Sequence, residues 1–181
     1  MTWLALWLAL ALQPDPPELK VSPILVENVR REAHSIDVAT AELQVHAATR
    51  AADRDIKPEI LLAMGWIESR YEPAATSRIE HGVRHTGAVA GLAPVGAGPR
   101  FCGVVQTTAG HDWLACLAMR NVRVGYAIAV TELHRWLRVT HGDLAAALRG
   151  YGCGFAGLDN GCHAYDLRVL GLARRLARDP S

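Results

Sequence analysis

The sequence predicts a mainly α-helical single domain with one loop-rich lobe inserted between its helices, and three observations carry that prediction. No glycine or proline interrupts Ile24 to Arg54, and only Gly125 falls between Trp113 and Thr140. Apolar residues recur at helical spacing in Ile60, Met64, Ile67 and Tyr71. Seven glycines (82, 87, 91, 96, 98, 103 and 110) and two prolines gather between Ala74 and Gly110, where regular helix is excluded. The chain has 181 residues, of which 50% are hydrophobic and 20% charged, enough apolar material for one core. A net charge of +1 gives no electrostatic reason to expect a nucleic-acid partner. The basic residues are nearly all arginine, Lys20 and Lys57 being the two lysines, which reads as a compositional bias.

Taken in order, residues 1–17 read as a signal peptide with an exposed linker. Met1 to Leu12 is almost wholly apolar yet too short to span ~30 Å of hydrocarbon as a helix. Ala9-Leu10-Ala11 offers a small-x-small cleavage pattern, and Pro14, Asp15, Pro16 and Pro17 follow as a helix-breaking stretch. The start departs from a usual signal in having no Lys or Arg. Residues 18–55 form an N-terminal helical segment with one break near Ser35. Pro58 suits a first helical turn, with Asp55 upstream as its cap, and Pro73 stops the run. From Ala74 to Gly110 the lobe has room for at most a short hairpin. Trp113 to Thr140 reads as helix, Asp143 to Leu148 as a short helix ended by Gly150 and Gly152, and Ala164 to Arg178 as a terminal helix. No internal repeat is present.

Cys102, Cys116, Cys153 and Cys162 are an even number in a chain read as exported, which predicts two disulfides. The local pairs Cys102–Cys116 and Cys153–Cys162 are favoured because each pins one loop; four unpaired core thiols are the alternative. The spacings are unlike zinc sites.

Glu68 lies near the end of the Pro58 helix, and its same-face neighbours Gly65, Met64 and Leu61 include no cation. Such a carboxyl is either solvated at the helix end or held in a partly apolar cleft. In a cleft, desolvation favours the protonated form that a general acid needs.

The stretch Ile60 to Ser77 (ILLAMGWIESRYEPAATS) resembles the catalytic segment of soluble-type lytic transglycosylases, where an apolar helix ends in Glu-Ser before an aromatic, a Pro, a small residue and a Ser. Three further motifs follow in order. Cys102 to Thr107 (CGVVQT) is similar to the family's Gly-Leu-Met-Gln segment, and Asn121 to Gly125 (NVRVG) to the Asn-x-x-x-Gly that opens the next helix. Ala145 to Gly154 (AAALRGYGCG) resembles its Ala-Tyr-Asn-x-Gly segment. The resemblance covers Ile56 to Arg178 and implies a lysozyme-like catalytic domain at 56–181. It implies cleavage of the β-1,4 bond between N-acetylmuramic acid and N-acetylglucosamine in peptidoglycan. Glu68 would protonate the glycosidic oxygen and then accept the proton of the muramoyl C6 hydroxyl, closing a 1,6-anhydro ring. Tyr151 would lie beside that carboxyl, its flanking glycines letting backbone approach a ligand closely. Ser69 would orient Glu68 or simply cap its helix, while Ser77 and Gln106 would contact substrate. No cofactor or metal is implied, and a periplasmic or secreted monomer acting on glycan strands, without membrane insertion, is expected.

Three departures accompany the resemblance. Val104-Val105 replaces the family's Leu-Met, Gly152 stands where it has Asn, and an insertion of 24 residues, 78–101, separates Ser77 from Cys102. Glu80, His81 and His85 have a spacing that would suit a metal only on a helix, which Gly82 opposes; exposed loop histidines are the plainer reading. Arg168, Arg174, Arg175 and Arg178 form either a surface for anionic wall polymers or an ordinary solvated helix face. A goose-type lysozyme-like hydrolase and a catalytically silent glycan-binding envelope module are the competing functions.

Overall fold

The computed structural model describes Pro14 and residues 19–80, 83–87, 100–110, 113–160 and 164–179. The predicted signal segment, His81 and Cys162 lie outside these residues, as do the side-chain environments of Ser77, Glu80 and His85.

Helix α1 (Pro23–Glu32) starts with Pro23 in its first turn and with Ser22, whose hydroxyl accepts from the Leu25 amide at 3.3 Å. The expected break follows, and Asp37 caps α2 (Val38–Ala51) by accepting from the Thr40 amide at 2.7 Å. Helix α3 (Pro58–Ser69) begins where Pro58 predicts, but Asp55 does not cap it. Lys57 occupies the cap position without a side-chain bond, and Asp55 pairs with Arg54 instead. Asp53 takes the local capping task, accepting from the Asp55 and Ile56 amides, each at 2.9 Å. Ile60 through Gly65 are six consecutive buried residues. This helix is therefore enclosed on all sides rather than amphipathic, and full burial of Leu61 or Leu62 is worth about 2–3 kcal/mol each.

The lobe holds more strand than predicted. Strands β1 (Thr76–Glu80), β2 (Val83–Gly87), β3 (Arg100–Cys102) and β4 (Thr107–Gly110) form an antiparallel sheet in the order β2-β1-β3-β4. Its strands are short runs rich in Thr, Val, Ile and Phe, and the surrounding glycines concealed them. The described residues of the predicted insertion, 78–80, 83–87, 100 and 101, are thus paired backbone, with Ser77 beside them opposite Thr86 on one side and Phe101 on the other.

The helix-forming run from Trp113 to Thr140 is two helices, α4 (Trp113–Met119) and α5 (Val122–Val139), the second opening at Asn121 as the resemblance implies. Asn121 separates them, its side-chain oxygen accepting from the Arg123 and Val124 amides at 3.0 and 3.4 Å. Helix α6 (Leu144–Cys153), capped by Asp143, does not stop at Gly150 or Gly152 but at Gly154, where φ is +62°. Gly150 is a contact rather than a terminator: a Cβ there would lie 2.3 Å from Cε3 of Trp136 on α5. The expected approach of backbone to ligand is, at Gly150, an approach to Trp136. Helices α7 (Phe155–Asn160) and α8 (Tyr165–Leu176) complete the described chain.

One apolar core joins α1, α2, α3, α5, α6 and α8 with Val104 and Val105, so residues 18–55 share it with the rest. Asn28 on α1 is buried and donates to the carbonyls of Leu176 and Arg178 at 2.8 and 2.7 Å, satisfying the end of α8. Arg175 pairs with Glu32 at 2.8 and 3.2 Å, while Arg168, Arg174 and Arg178 are exposed.

The predicted Cys102–Cys116 disulfide is present, linking the end of β3 to α4 across a sequence separation of 14. Cys153 is also disulfide-bonded, its predicted partner Cys162 lying outside the described residues. Replacing both Cys102 and Cys116 with Ser should cost about 3 kcal/mol in a urea titration, as expected for a closed loop of about 15 residues.

Candidate active site

The turn from Gly103 to Gln106 joins β3 to β4, and most of the predicted site converges on it. Gly103 has φ of +78°, and its missing side chain is obligatory because a Cβ would stand 2.2 Å from the Met119 carbonyl oxygen. Val104 and Val105 are fully buried, so their apolar side chains anchor the turn and leave their carbonyls to accept hydrogen bonds.

Ser69, the residue after Glu68, places its hydroxyl 2.7 Å from the Val104 carbonyl oxygen and 3.1 Å from that of Gly65. Its single proton serves one acceptor at a time, and the shorter contact ties the end of α3 to the turn. Tyr151 on α6 donates to the Val105 carbonyl at 2.8 Å and lies 3.1 Å from the Thr107 hydroxyl. Residues 69, 104–107 and 151, remote in sequence, therefore meet around four consecutive positions. Arg149 Nη1 to Asp166 Oδ2, at 2.7 Å and partly buried, fixes α6 against α8 two residues before Tyr151.

Gln106 is tied into the backbone of the turn. It is 4% exposed, and its amide nitrogen donates to the carbonyls of Ala75 and Gly103, each at 2.9 Å. Those bonds hold the turn against the start of β1 and stabilise a backbone φ of +48°, which is unfavourable for a residue with a side chain. This nitrogen is committed to the protein frame. Thr107, 5% exposed and bonded to Tyr151, was not singled out from the sequence, although it directly follows the Gln106 motif.

Glu68 is partly buried on the last turn of α3. Its helix neighbours Gly65, Met64 and Leu61 are buried, and the partial negative charge at a helix C-terminus disfavours further negative charge there. The chain reverses immediately afterwards through two left-handed residues, Arg70 at φ 58° and Tyr71 at φ 64°. Arg70 lies over the Trp66 ring, 4.5 Å from its centroid, and Trp66 packs against Tyr71 with centroids 5.5 Å apart. Left-handed non-glycine residues cost free energy and gather where function constrains the backbone. Here Arg70, Tyr71 and Gln106 flank Glu68 and the turn bonded to its neighbour.

Elsewhere among the described residues, Asp53, Asp55 and His134 bring possible metal-ligand atoms within 4.8 Å of one another. Asp53 is bonded to His134 at 2.6 Å and to two amides, and Asp55 is paired with Arg54, so the protein itself satisfies these carboxylates. Burial opposes ionisation of Asp53, but the His134 and backbone bonds outweigh it and hold its carboxyl below the usual range. Two open depressions, of about 430 Å³ between α1 and α2 and about 670 Å³ beside His134 and Leu144, touch none of Glu68, Ser69, Gln106 or Tyr151. The second is lined by Arg54, Asp55, His134, Arg138 and His141 and so gathers polar groups of its own, apart from the turn.

Comparison with protein-family models, curated proteins and solved structures gives no match. Among the described residues, no helix is long and apolar enough to cross a membrane.

Proposed function

We propose that the protein cleaves the glycan strands of peptidoglycan in the manner of a lytic transglycosylase, with Glu68 as both acid and base. The observation that carries this reading is the convergence of Ser69, Val104, Val105, Thr107 and Tyr151 beside a partly buried glutamate. A single carboxyl suffices for this reaction. In the first step its proton passes to the glycosidic oxygen as the bond to the muramoyl C1 breaks. In the second, the carboxylate takes the proton of the C6 hydroxyl as that oxygen closes on C1. The leaving sugar departs with the first proton, and the second restores the acid. Hydrolases that deploy paired carboxylates need a second acidic group.

The protein's frame supplies position. Ser69 and Tyr151 hold the 103–106 turn through its successive Val104 and Val105 carbonyls, which ties the end of the Glu68 helix to the lobe. Ser77, with its backbone two residues past Ala75, whose carbonyl the Gln106 amide holds, stands at the sheet side of this arrangement. The disulfides support an exported protein working in an oxidising compartment, periplasmic or secreted.

Mass spectrometry of muropeptides released from purified sacculi tests the reading. A 1,6-anhydro end is the expected product. A reducing end would instead assign a lysozyme-like hydrolase, and no release would assign a non-catalytic envelope module.

Tyr151→Phe separates two ways in which that tyrosine acts. Its hydroxyl bonds to Val105 and Thr107, so its loss should loosen the turn and lower turnover by about tenfold, with little change in melting temperature. A Phe variant as active as the parent would restrict the site to Glu68.

A further inference from the structure

Gln44 is the most deeply buried polar side chain that the proposed chemistry leaves unused. It lies on α2, fully buried, between the alanines at positions 41 and 48 on its own helix face. A buried amide without partners costs ~1–3 kcal/mol, so such a residue persists only where its bonds are made. Its Oε1 accepts from the Tyr126 hydroxyl of α5 at 2.9 Å, and its Nε2 donates to the Tyr71 carbonyl at 3.4 Å.

Both partners adjoin the segment that carries Glu68. The Tyr126 hydroxyl reaches Gln44 by passing over Gly65, one turn before Glu68, where a Cβ would lie 2.6 Å from it. Burial raises the proton affinity of this phenol, so Tyr126 remains a neutral donor. Tyr71 is the second of the two left-handed residues that reverse the chain after Glu68 and Ser69, and its ring is buried against Gly65. The reversal is also held by Arg70 N to Trp66 O at 3.1 Å, Tyr71 N to Gly65 O at 3.3 Å and Glu72 N to Ser69 O at 3.1 Å. These bonds all stay within the segment itself. Gln44 supplies a side-chain bond from another helix.

We infer that Gln44 is a positioning residue for Glu68, holding from α2 the left-handed turn that fixes where the Glu68 helix ends. This rests on the function proposed above, and it gives the N-terminal helices, which lie outside the region of family resemblance, a part in the site. Through Tyr126 and Tyr71 the clamp connects α2, α5 and the end of α3, so a small shift of α2 is passed to the carboxyl.

Two variants of the full chain test it. Gln44→Met keeps the length and volume of the side chain and removes both bonds; Tyr126→Phe deletes one hydroxyl. The readouts are kcat and KM for muropeptide release and the titration of the Glu68 carboxyl followed by NMR. Both variants should lose about tenfold in kcat, with KM within about twofold, and should displace the Glu68 titration midpoint. Wild-type kcat and an unmoved Glu68 titration in both, even with a lower melting temperature, would overturn the inference and leave Gln44 a packing residue. If Gln44→Met fails to fold, Tyr126→Phe decides by the same criteria. If the parent protein itself releases no muropeptides, the proposed function fails, and the Glu68 titration alone decides whether the clamp exists.

Discussion

Glu68→Gln is expected to abolish muropeptide release, with a fall of about 10²–10⁴-fold or more, and to leave the melting temperature close to that of the parent. The change removes the transferable proton from a nearly isosteric side chain. Its helix packs through Leu61, Leu62 and Met64, all of which stay in place, so the core has no reason to loosen. A residue acting only as a helix-end solubiliser would show the opposite pattern, with activity unchanged. Retention of parental turnover by the Gln variant would sink the assignment of Glu68, and with it the reading of the 103–106 turn as its support.

Gly103→Ala should be the most damaging single substitution in the turn. At φ of +78° an alanine is strained by ~1–2 kcal/mol, and its Cβ would meet the Met119 carbonyl at 2.2 Å, a contact with backbone that cannot swing aside. Together these should cost about 4 kcal/mol in chemical denaturation, in the range reserved for broken structural necessities. Gly142 supplies the control. Its φ is +88°, but nothing lies within 4 Å of a Cβ built there, so Gly142→Ala should show the strain alone, about 1–2 kcal/mol, and full activity. Equal effects at the two positions would mean that the close approach to Met119 contributes nothing.

What could be seen in the sequence was what depends on neighbours along the chain. Pro58 and Asn121 mark helix starts through their own backbone chemistry, and Cys102–Cys116 follows as a local pair that pins one loop. Glu68 stands out in the sequence through the resemblance of Ile60 to Ser77 to a catalytic segment. Helix ends set by distant partners were not visible: Gly150 looks like a stop until Trp136 is packed against it, and α6 then runs on to Gly154. The sheet was hidden because its strands are short and pair across intervening glycines. That the Ala75 and Gly103 carbonyls take the Gln106 amide nitrogen is likewise invisible in local sequence. Gln44 carried a faint signal, a lone amide between small apolar residues on a helical face, but its meaning depends on Tyr126 and Tyr71, 82 and 27 residues away.

The bonds from Asn28 to the carbonyls of Leu176 and Arg178 span 148 and 150 positions of the chain, and they bear on the order of assembly. Closing so long a loop carries an entropic cost that local helix formation does not, and such contacts slow the search for the native state. During synthesis α1 emerges about 150 residues before the carbonyls that satisfy its buried amide. Until then Asn28 keeps its hydration and α1 lacks the partner that seals its inner face. Completion of this part of the fold is thus timed by the appearance of α8 rather than by the earlier appearance of α1.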